Sequence, residues 1–244
     1  MKAVIFSGTT EGRTLSRAVA ALGADVTVCV ATDLGAEEQG CVPGITVRAG
    51  RMDAGEMTAL LQGAALCVDA THPYATEATR NIRAAATAAG VAYHRLLRPA
   101  SDLPAGSVVL ETAAQAAAYL AAKPGNVLLA TGAKELPAFA ALDPARLYPR
   151  VLPTLAGITA CEAAGIPHRN IIAMQGPFTL ELNVALLRQF AIAAMVTKDG
   201  GAAGGFAEKA EAAARCGVQL IVLRRPEEQG ENAETILQRC RELL

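Results

Sequence analysis

Residues 3 to 13 are AVIFSGTTEGR. The unbroken apolar run of residues 3–6 predicts a strand buried on both faces, as in a parallel sheet. The small residues 7–10 predict a tight turn, and the spacing that follows predicts a helix with Leu15 and Val19 on its buried face. Such a turn directs backbone N–H groups and the positive end of the helix dipole toward one point. The segment therefore predicts the phosphate-binding start of a nucleotide-binding α/β domain.

The glycines of this turn do not complete the usual dinucleotide signature. Gly8 and Gly12 are spaced G-x-x-x-G, whereas the signature is G-x-G-x-x-G. The turn alone leaves two interpretations open, a dinucleotide site and a plain strand–helix corner. Arg13 adds a cation in reach of a bound phosphate.

The composition of the chain excludes several classes of protein. Its 244 residues are 52% hydrophobic and 18% charged, which is typical of a folded globular protein. The net charge of −1 and the lack of a basic block argue against a nucleic-acid surface. No apolar run has the length of a membrane span, and the N-terminus lacks the pattern of a signal peptide, so we expect a cytoplasmic protein without membrane contact. The six cysteines are scattered, which favours buried thiols over disulfides or a metal site.

Strand and helix patterns alternate along the whole chain, which predicts an α/β fold with parallel sheets and right-handed crossovers. The segment 98–106, RPASDLPAG, is the best domain boundary. We therefore predict two Rossmann-like domains, a nucleotide-binding domain at 1–99 and a substrate-binding domain at 100–244, with a ligand cleft between them. Helix starts are predicted at the capping residues Asp53, Thr112, Thr154, Thr179 and Asn232.

Polar and glycine-rich loops follow most of the predicted strands, where open parallel sheets bind their ligands. Asp33 lies past the second strand, about where a ribose-binding carboxylate is expected, while Arg48 and Arg51 follow the third. His72 alone is more simply explained by a proline-fixed turn than by a ligand contact. Glu208 and Lys209 are interpreted as a solvated first helical turn.

Taken together, the loops resemble a known family. The matching segments occur in the family order from Val4 to about Leu223, and they are SGTTEGR, GRMD, DATHPYA, ATGAK, RVLP, QGPF and TKDGGAAGGFAEK. This set is similar to the precorrin-6A reductases of corrinoid biosynthesis. Two positions depart from the family pattern, since Ser7 replaces a usual glycine and Gly200 replaces a frequent serine.

The resemblance implies a reductase that uses a reduced nicotinamide nucleotide, NADPH with NADH as the alternative, on a ring double bond of a polycarboxylated tetrapyrrole. Whether that ring carries cobalt, and whether the protein is a monomer or a dimer, stay open. The implied cofactor-binding residues are Gly8, Thr9, Thr10, Arg13, Asp33, Arg51, Thr71 and His72. The implied substrate-binding residues are Lys134, Arg150, Gly176, Lys198, Asp199, Gly200 and Gly201. The implied proton donors are Lys198, His72 and Tyr74, with water as the alternative, and no metal ligand is expected.

Two other functions are consistent with the first half of the chain. One is a different Rossmann-type oxidoreductase that uses NAD(P). For a short-chain dehydrogenase, only Tyr119 and Lys123 have the required Tyr-x-x-x-Lys spacing, and they lie in an alanine-rich helix after the boundary. The other is a nucleotide-sensing regulator, which leaves the loops of the second half without a role.

Overall fold

The computed structural model describes residues 1–97, 101–201 and 204–244. The chain forms two compact units, Met1–Arg98 with Pro226–Leu244 and Pro99–Arg225. Each unit is an α/β fold around its own parallel sheet, which confirms the fold class expected from the alternating pattern.

The first unit has a five-stranded sheet in the order β3-β2-β1-β4-β5. Its strands are β1 (Lys2–Phe6), β2 (Asp25–Val30), β3 (Ile45–Ala49), β4 (Leu66–Asp69) and β5 (Tyr93–Arg95). Its helices are α1 (Thr10–Ala21), α2 (Asp33–Gln39), α3 (Ala54–Leu61), α4 (Thr76–Ala89) and the C-terminal α9 (Ala233–Leu243). Residues 3–6 of β1 are all buried, as the apolar run predicts, because helices cover both faces of this central strand.

The second unit has a six-stranded sheet in the order β6-β11-β10-β7-β8-β9. Its strands are β6 (Val108–Leu110), β7 (Asn126–Ala130), β8 (Leu147–Val151), β9 (Ile172–Ala173), β10 (Ile192–Lys198) and β11 (Gln219–Leu223). Its α-helices are α5 (Ala113–Ala121), α6 (Leu155–Ala163), α7 (Leu180–Gln189) and α8 (Phe206–Cys216). The short edge strand β6 was not expected from the sequence, because three half-buried residues give too little alternation to detect.

The predicted helix caps are confirmed. Each of the five capping side chains accepts a hydrogen bond from a backbone N–H of the first helical turn, and these residues are Asp53, Thr112, Thr154, Thr179 and Asn232. A cap of this kind stabilises a helix by about 1 kcal/mol and fixes where it starts.

The C-terminal helix belongs to the first unit, although the sequence placed all of residues 100–244 in the second. Ile236 and Cys240 of α9 are fully buried in the same apolar core as Leu15 and Val19 of α1. The segment before α9 also lies beside the end of β5, since the Leu97 N–H donates to the carbonyl of Glu231 over 2.9 Å. Helical spacing alone predicted this amphipathic helix but not the sheet against which it packs.

Candidate functional site

The strand orders define one ligand-binding position in each unit. In the first sheet, the chain leaves β1 toward β2 on one side and leaves β4 toward β5 on the other. In the second sheet, the chain leaves β7 toward β8 and leaves β10 toward β11 on the opposite side. Open parallel sheets bind ligands at such switch points, beyond the carboxyl ends of the two strands. The residues after β1 and β4, and those after β7 and β10, are therefore the candidate sites.

The loop after β1 has the features of an anion cradle. Gly8 has φ of +115°, and a Cβ atom added there would meet no atom within 4 Å. Within the described residues, the backbone N–H groups of Gly8 and Thr9 donate no hydrogen bond. Open space and unused N–H groups at the start of α1 fit a phosphate group, which such groups and the helix dipole stabilise.

Thr9 joins this loop to the loop after β4. Its hydroxyl donates to the carbonyl of Ala70 over 2.9 Å and accepts from the N–H of Gly12 over 3.0 Å. Gly12 has no room for a side chain, because a Cβ atom there would lie 2.5 Å from Ser7 Oγ and 2.9 Å from Ala70 Cβ. Gly12 therefore lets α1 pack closely on the sheet, while Gly8 keeps the approach to the loop open.

The three arginines that the sequence offers for a phosphate differ in their surroundings. Arg13 pairs with Glu38 at 3.1 Å and donates to the hydroxyl of Thr10 over 3.3 Å. Arg48 and Arg51 line an open cavity of about 670 Å³ and make no hydrogen bond or ion pair with any described residue. Asp33 is the exposed first residue of α2 and does not line that cavity.

A buried ionic network holds the loop after β4, and sequence reasoning missed its central residue. Asp69 is fully buried and accepts hydrogen bonds from Arg95 at 2.8 Å, from the Thr71 hydroxyl at 2.7 Å and from the Tyr93 hydroxyl at 3.0 Å. Arg95 also binds the Thr71 carbonyl at 3.0 Å and Glu228 at 3.0 Å. Burial, with the nearby Asp69 charge, raises the pKa of Tyr93. The available signal for Arg95 was its place among the mostly apolar residues 91–97, VAYHRLL, because a charged residue in such a segment is buried only when paired.

The two predicted proton donors in the first unit lie in this loop. His72 is exposed and Tyr74 half-buried, with ring centroids 5.5 Å apart. His72 Nδ1 accepts a hydrogen bond from the Tyr74 N–H over 3.3 Å. The loop is thus an ordered turn at the switch point of the first sheet, and the Asp69–Arg95 pair holds its first residues by hydrogen bonds.

At the switch point of the second sheet, an ion pair links the two loops. Lys198, the last residue of β10, pairs with Glu135 of the loop after β7 at 2.7 Å. Lys134 is exposed beside it, in the 3₁₀ helix Ala133–Phe139. The carboxylate of Asp199 lies 3.5 Å from Arg225 and accepts from the Gly201 N–H over 3.2 Å. Lys198, Asp199, Gly200 and Gly201 therefore lie together at the carboxyl end of β10, as the sequence predicts.

Arg150 is a buried cation without a carboxylate partner. The residue is 7% exposed at the end of β8, and no ion pair joins it to any described residue. Its guanidinium donates to Asn183 Oδ1 over 2.9 Å and lies 4.1 Å from the centre of the Phe178 ring. Gly176 leaves room for that ring, since a Cβ atom there would lie 2.9 Å from it. Burial lowers the pKa of Arg150 to about 10, so the side chain is charged at neutral pH.

Lys209 corrects an expectation from the sequence. It was interpreted as part of a solvated helical turn, but it is 8% exposed. Along α8 it shares the buried face with Phe206, Ala210 and Ala213, which pack on the sheet and on α7. The four residues have the 3–4 spacing of one helical face, so the signal was present and the charge of the side chain obscured it.

The described residues contain no metal site and no membrane span. No group of three or more histidine, cysteine, aspartate or glutamate side chains is arranged to hold a metal ion in them. Within the same ranges, no helix combines the length and the apolar character needed to cross a bilayer.

Comparison with known proteins agrees with the loop motifs. The family model described as Precorrin-6x reductase CbiJ/CobK matches residues 2–241. The cobalt-precorrin-6A reductase of Priestia megaterium is 36% identical over 230 residues, which cover 91% of this chain and 90% of that protein. The cobalt-precorrin-6A reductase of Salmonella typhimurium is 34% identical over 229 residues, covering 91% and 87%. A solved structure, CobK precorrin-6A reductase, superposes with a TM-score of 0.80 at 25% identity and covers 99% of this chain and 97% of its own.

Proposed function

The chain belongs to the precorrin-6x reductase family. We propose that its first unit binds the nucleotide and its second unit binds the tetrapyrrole. It is an oxidoreductase of corrinoid biosynthesis that reduces a ring double bond of precorrin-6A or its cobalt form, with a nicotinamide nucleotide as reductant. The match over nearly the whole chain carries this conclusion, and it confirms the resemblance that the loop motifs predicted. The assignment of residues to the two ligands is our proposal.

The nucleotide binds at the switch point of the first sheet. Gly8, Thr9 and Thr10 receive the pyrophosphate, which is supported by the open space at Gly8 and the unused N–H groups there. Arg13 then exchanges part of its exposed contact with Glu38 for a phosphate oxygen. When bound, the cofactor supplies the hydride, and the chain orients it. The loop of Thr71, His72 and Tyr74 positions the nicotinamide half.

The substrate is a polyanion, and the basic residues of the second unit bind its carboxylates. Arg150 supports this proposal most strongly, because a buried cation is normally paired and this one has no carboxylate partner among the described residues. Lys198 and Lys134 lie on the neighbouring strand ends and add positive charge. Beside Asp199, a Cβ atom added at Gly200 would lie 3.3 Å from the Gly204 Cα atom, so glycine allows close approach of the backbone there. Gly201 has φ of +68°, which also favours glycine. Gly176 acts indirectly through Phe178.

We propose NADPH as the preferred cofactor. A 2′-phosphate favours a basic contact, whereas the ribose of NADH favours an acidic one. Arg51 and Arg48 line an open cavity next to the end of β2, and neither forms an ion pair with a described residue, although Glu56 also lines the cavity. Asp33, the acidic alternative, does not line that cavity and is the first residue of α2.

Replacing Arg51 by alanine tests this cofactor preference. A charge-assisted hydrogen bond is worth about 1.5–3 kcal/mol, so we expect kcat/KM with NADPH to fall roughly tenfold to a hundredfold. Steady-state kinetics with NADH should change little, since NADH lacks the phosphate. Arg80→Ala, at an exposed position of α4, is the control and should leave both cofactors unaffected. A wild-type preference for NADH would overturn the proposal.

The function is tested by mixing the protein with precorrin-6A and a reduced nicotinamide nucleotide and following the tetrapyrrole spectrum. The cobalt form is assayed in parallel, with the metal carried by the substrate. Turnover that needs both the nucleotide and the tetrapyrrole supports this reaction. Nucleotide oxidation with carbonyl compounds instead of the tetrapyrrole would identify another Rossmann-type oxidoreductase. Nucleotide binding without any turnover would identify a nucleotide sensor.

A further inference from the structure

Reduction of a double bond needs a proton as well as a hydride, and the nicotinamide supplies only the hydride. A side chain that supplies this proton is an acid that is still protonated near neutral pH. In the second unit, the sequence offered Lys198 for this role. Its ammonium group, however, is already paired with the Glu135 carboxylate at 2.7 Å.

Lys209 has a different environment, although it lies in the helix that directly follows β10 and the glycine segment. The side chain is nine-tenths buried, yet its ammonium group makes no hydrogen bond or ion pair with any residue in the described ranges. A mostly buried ammonium that forms no ion pair is costly, because burial removes much of its hydration. Such a costly arrangement is typical of functional sites rather than of a folding core.

The charged groups around Lys209 explain how easily it gives up its proton. Arg150 of β8 faces it with a like charge, while Asp199 from the segment after β10 and Glu208 of its own helix face it with opposite charges. Burial and the Arg150 charge outweigh the two carboxylates and lower the pKa of Lys209 to about 8. An acid with a pKa near the working pH combines the correct protonation state with ready proton transfer.

Resting on the proposed function, we propose that Lys209 is the catalytic acid that protonates the tetrapyrrole during its reduction. The π electrons of the ring double bond take the proton of Lys209 Nζ at one carbon, while the other carbon accepts the hydride supplied by the bound nucleotide. A new C–H bond forms at each carbon, and the N–H bond of Lys209 breaks. The neutral amine then regains its proton from water. Arg150 contributes by binding a substrate carboxylate and by making the ammonium a stronger acid.

The pH dependence has a definite sign. The reaction needs the protonated form of Lys209, so kcat/KM should be constant below about pH 8 and should fall as the pH rises through that value. In a variant without a titrating group at position 209, this descending limb should disappear or move to higher pH.

Two variants separate proton donation from charge. Lys209→Met removes both, whereas Lys209→Arg keeps a positive charge but cannot readily release a proton. With NADPH and precorrin-6A, we expect kcat to fall by about 100- to 10,000-fold in both variants. The KM of Lys209→Arg should stay within about threefold of wild type. Lys123→Met is the control, because Lys123 is exposed at the amino end of β7, and it should keep wild-type kinetics.

Folding and titration are measured without substrate. Because Met removes an unpaired buried charge, Lys209→Met should melt at the wild-type temperature or above it. The chain has only five lysines, so ¹³C-lysine NMR can follow the Lys209 resonance, assigned by its loss in Lys209→Arg. Its midpoint should lie near pH 8.

Retention of kcat in Lys209→Arg, or an NMR midpoint near that of an ordinary lysine, would overturn the inference while leaving the reductase function in place. Effects confined to KM would instead identify Lys209 as a second carboxylate-binding cation, and would also overturn it. An absence of turnover in the wild-type protein would overturn the proposed function and this inference together.

Discussion

Replacing Gly8 by valine should weaken NADPH binding by at least about 100-fold, which is the loss of two charge-assisted hydrogen bonds of about 1.5–3 kcal/mol each. The physical reason lies in the loop after β1. The space beside Gly8 is open, since an added Cβ atom would meet no atom within 4 Å, and a valine side chain would occupy the volume through which we propose that the pyrophosphate approaches. Calorimetric titration with NADPH measures the effect directly.

Strain is the competing explanation for a loss of binding, and the chain offers a matched control. Gly8 has φ of +115°, in which valine is strained whatever the space around it. Gly23 has φ of +92° and equally open surroundings, but it lies in the turn between α1 and β2, at the opposite end of the sheet. Gly23→Val should therefore cost similar stability and leave the NADPH dissociation constant unchanged. A folded Gly8→Val with wild-type affinity would remove this loop from the nucleotide site.

Replacing Arg150 by methionine should raise the KM for precorrin-6A by roughly tenfold to a hundredfold, because a buried cation forms a strong pair with a substrate carboxylate. Lys198→Ala should have a smaller effect of the same kind, because Lys198 is already paired with Glu135. NADPH affinity should be nearly unchanged in both variants. Steady-state kinetics measure the KM for precorrin-6A, and calorimetric titration measures the NADPH affinity of each variant.

The melting temperature of Arg150→Met shows whether Arg150 stabilises the fold rather than binding substrate. Methionine loses the bond to Asn183 and the contact with Phe178, but it also removes an unpaired buried charge, so we expect little change in melting temperature. Arg146→Met is the matched control at the amino end of the same strand, where the guanidinium binds the Gly125 carbonyl. Its KM should equal that of the wild type. A large loss of stability in Arg150→Met with an unchanged KM would make Arg150 a structural residue.

The sequence was sufficient to predict the elements that depend on local patterns. The apolar run before Gly8 predicted the central strand, and short polar side chains at Asp53 and Thr154 predicted helix starts. These features are local, because strand burial and helix capping leave their signal within a few residues. The family was predicted from the loops for the same reason, since each loop is one contiguous segment.

What the sequence did not predict depends on contacts between distant segments. The Asp69–Arg95–Glu228 network joins residues up to 159 positions apart, and no spacing rule connects them. The return of α9 to the first sheet is equally non-local. For Lys209, the usual solvation of a charged side chain outweighed its spacing along α8, which places it on the face that packs on α7 and the sheet.

Isotope transfer can show whether this chain reduces precorrin-6A or its cobalt form with a nicotinamide hydride. The protein is incubated with each tetrapyrrole in turn and with NADPH carrying deuterium at the transferring position of C4, and the tetrapyrrole is analysed by mass spectrometry. We expect that at least one of the two forms gains two hydrogens, one from the nucleotide as deuterium and one from an acid that exchanges with water. Recovery of both tetrapyrroles unchanged from mixtures in which NADPH is demonstrably bound would contradict this function.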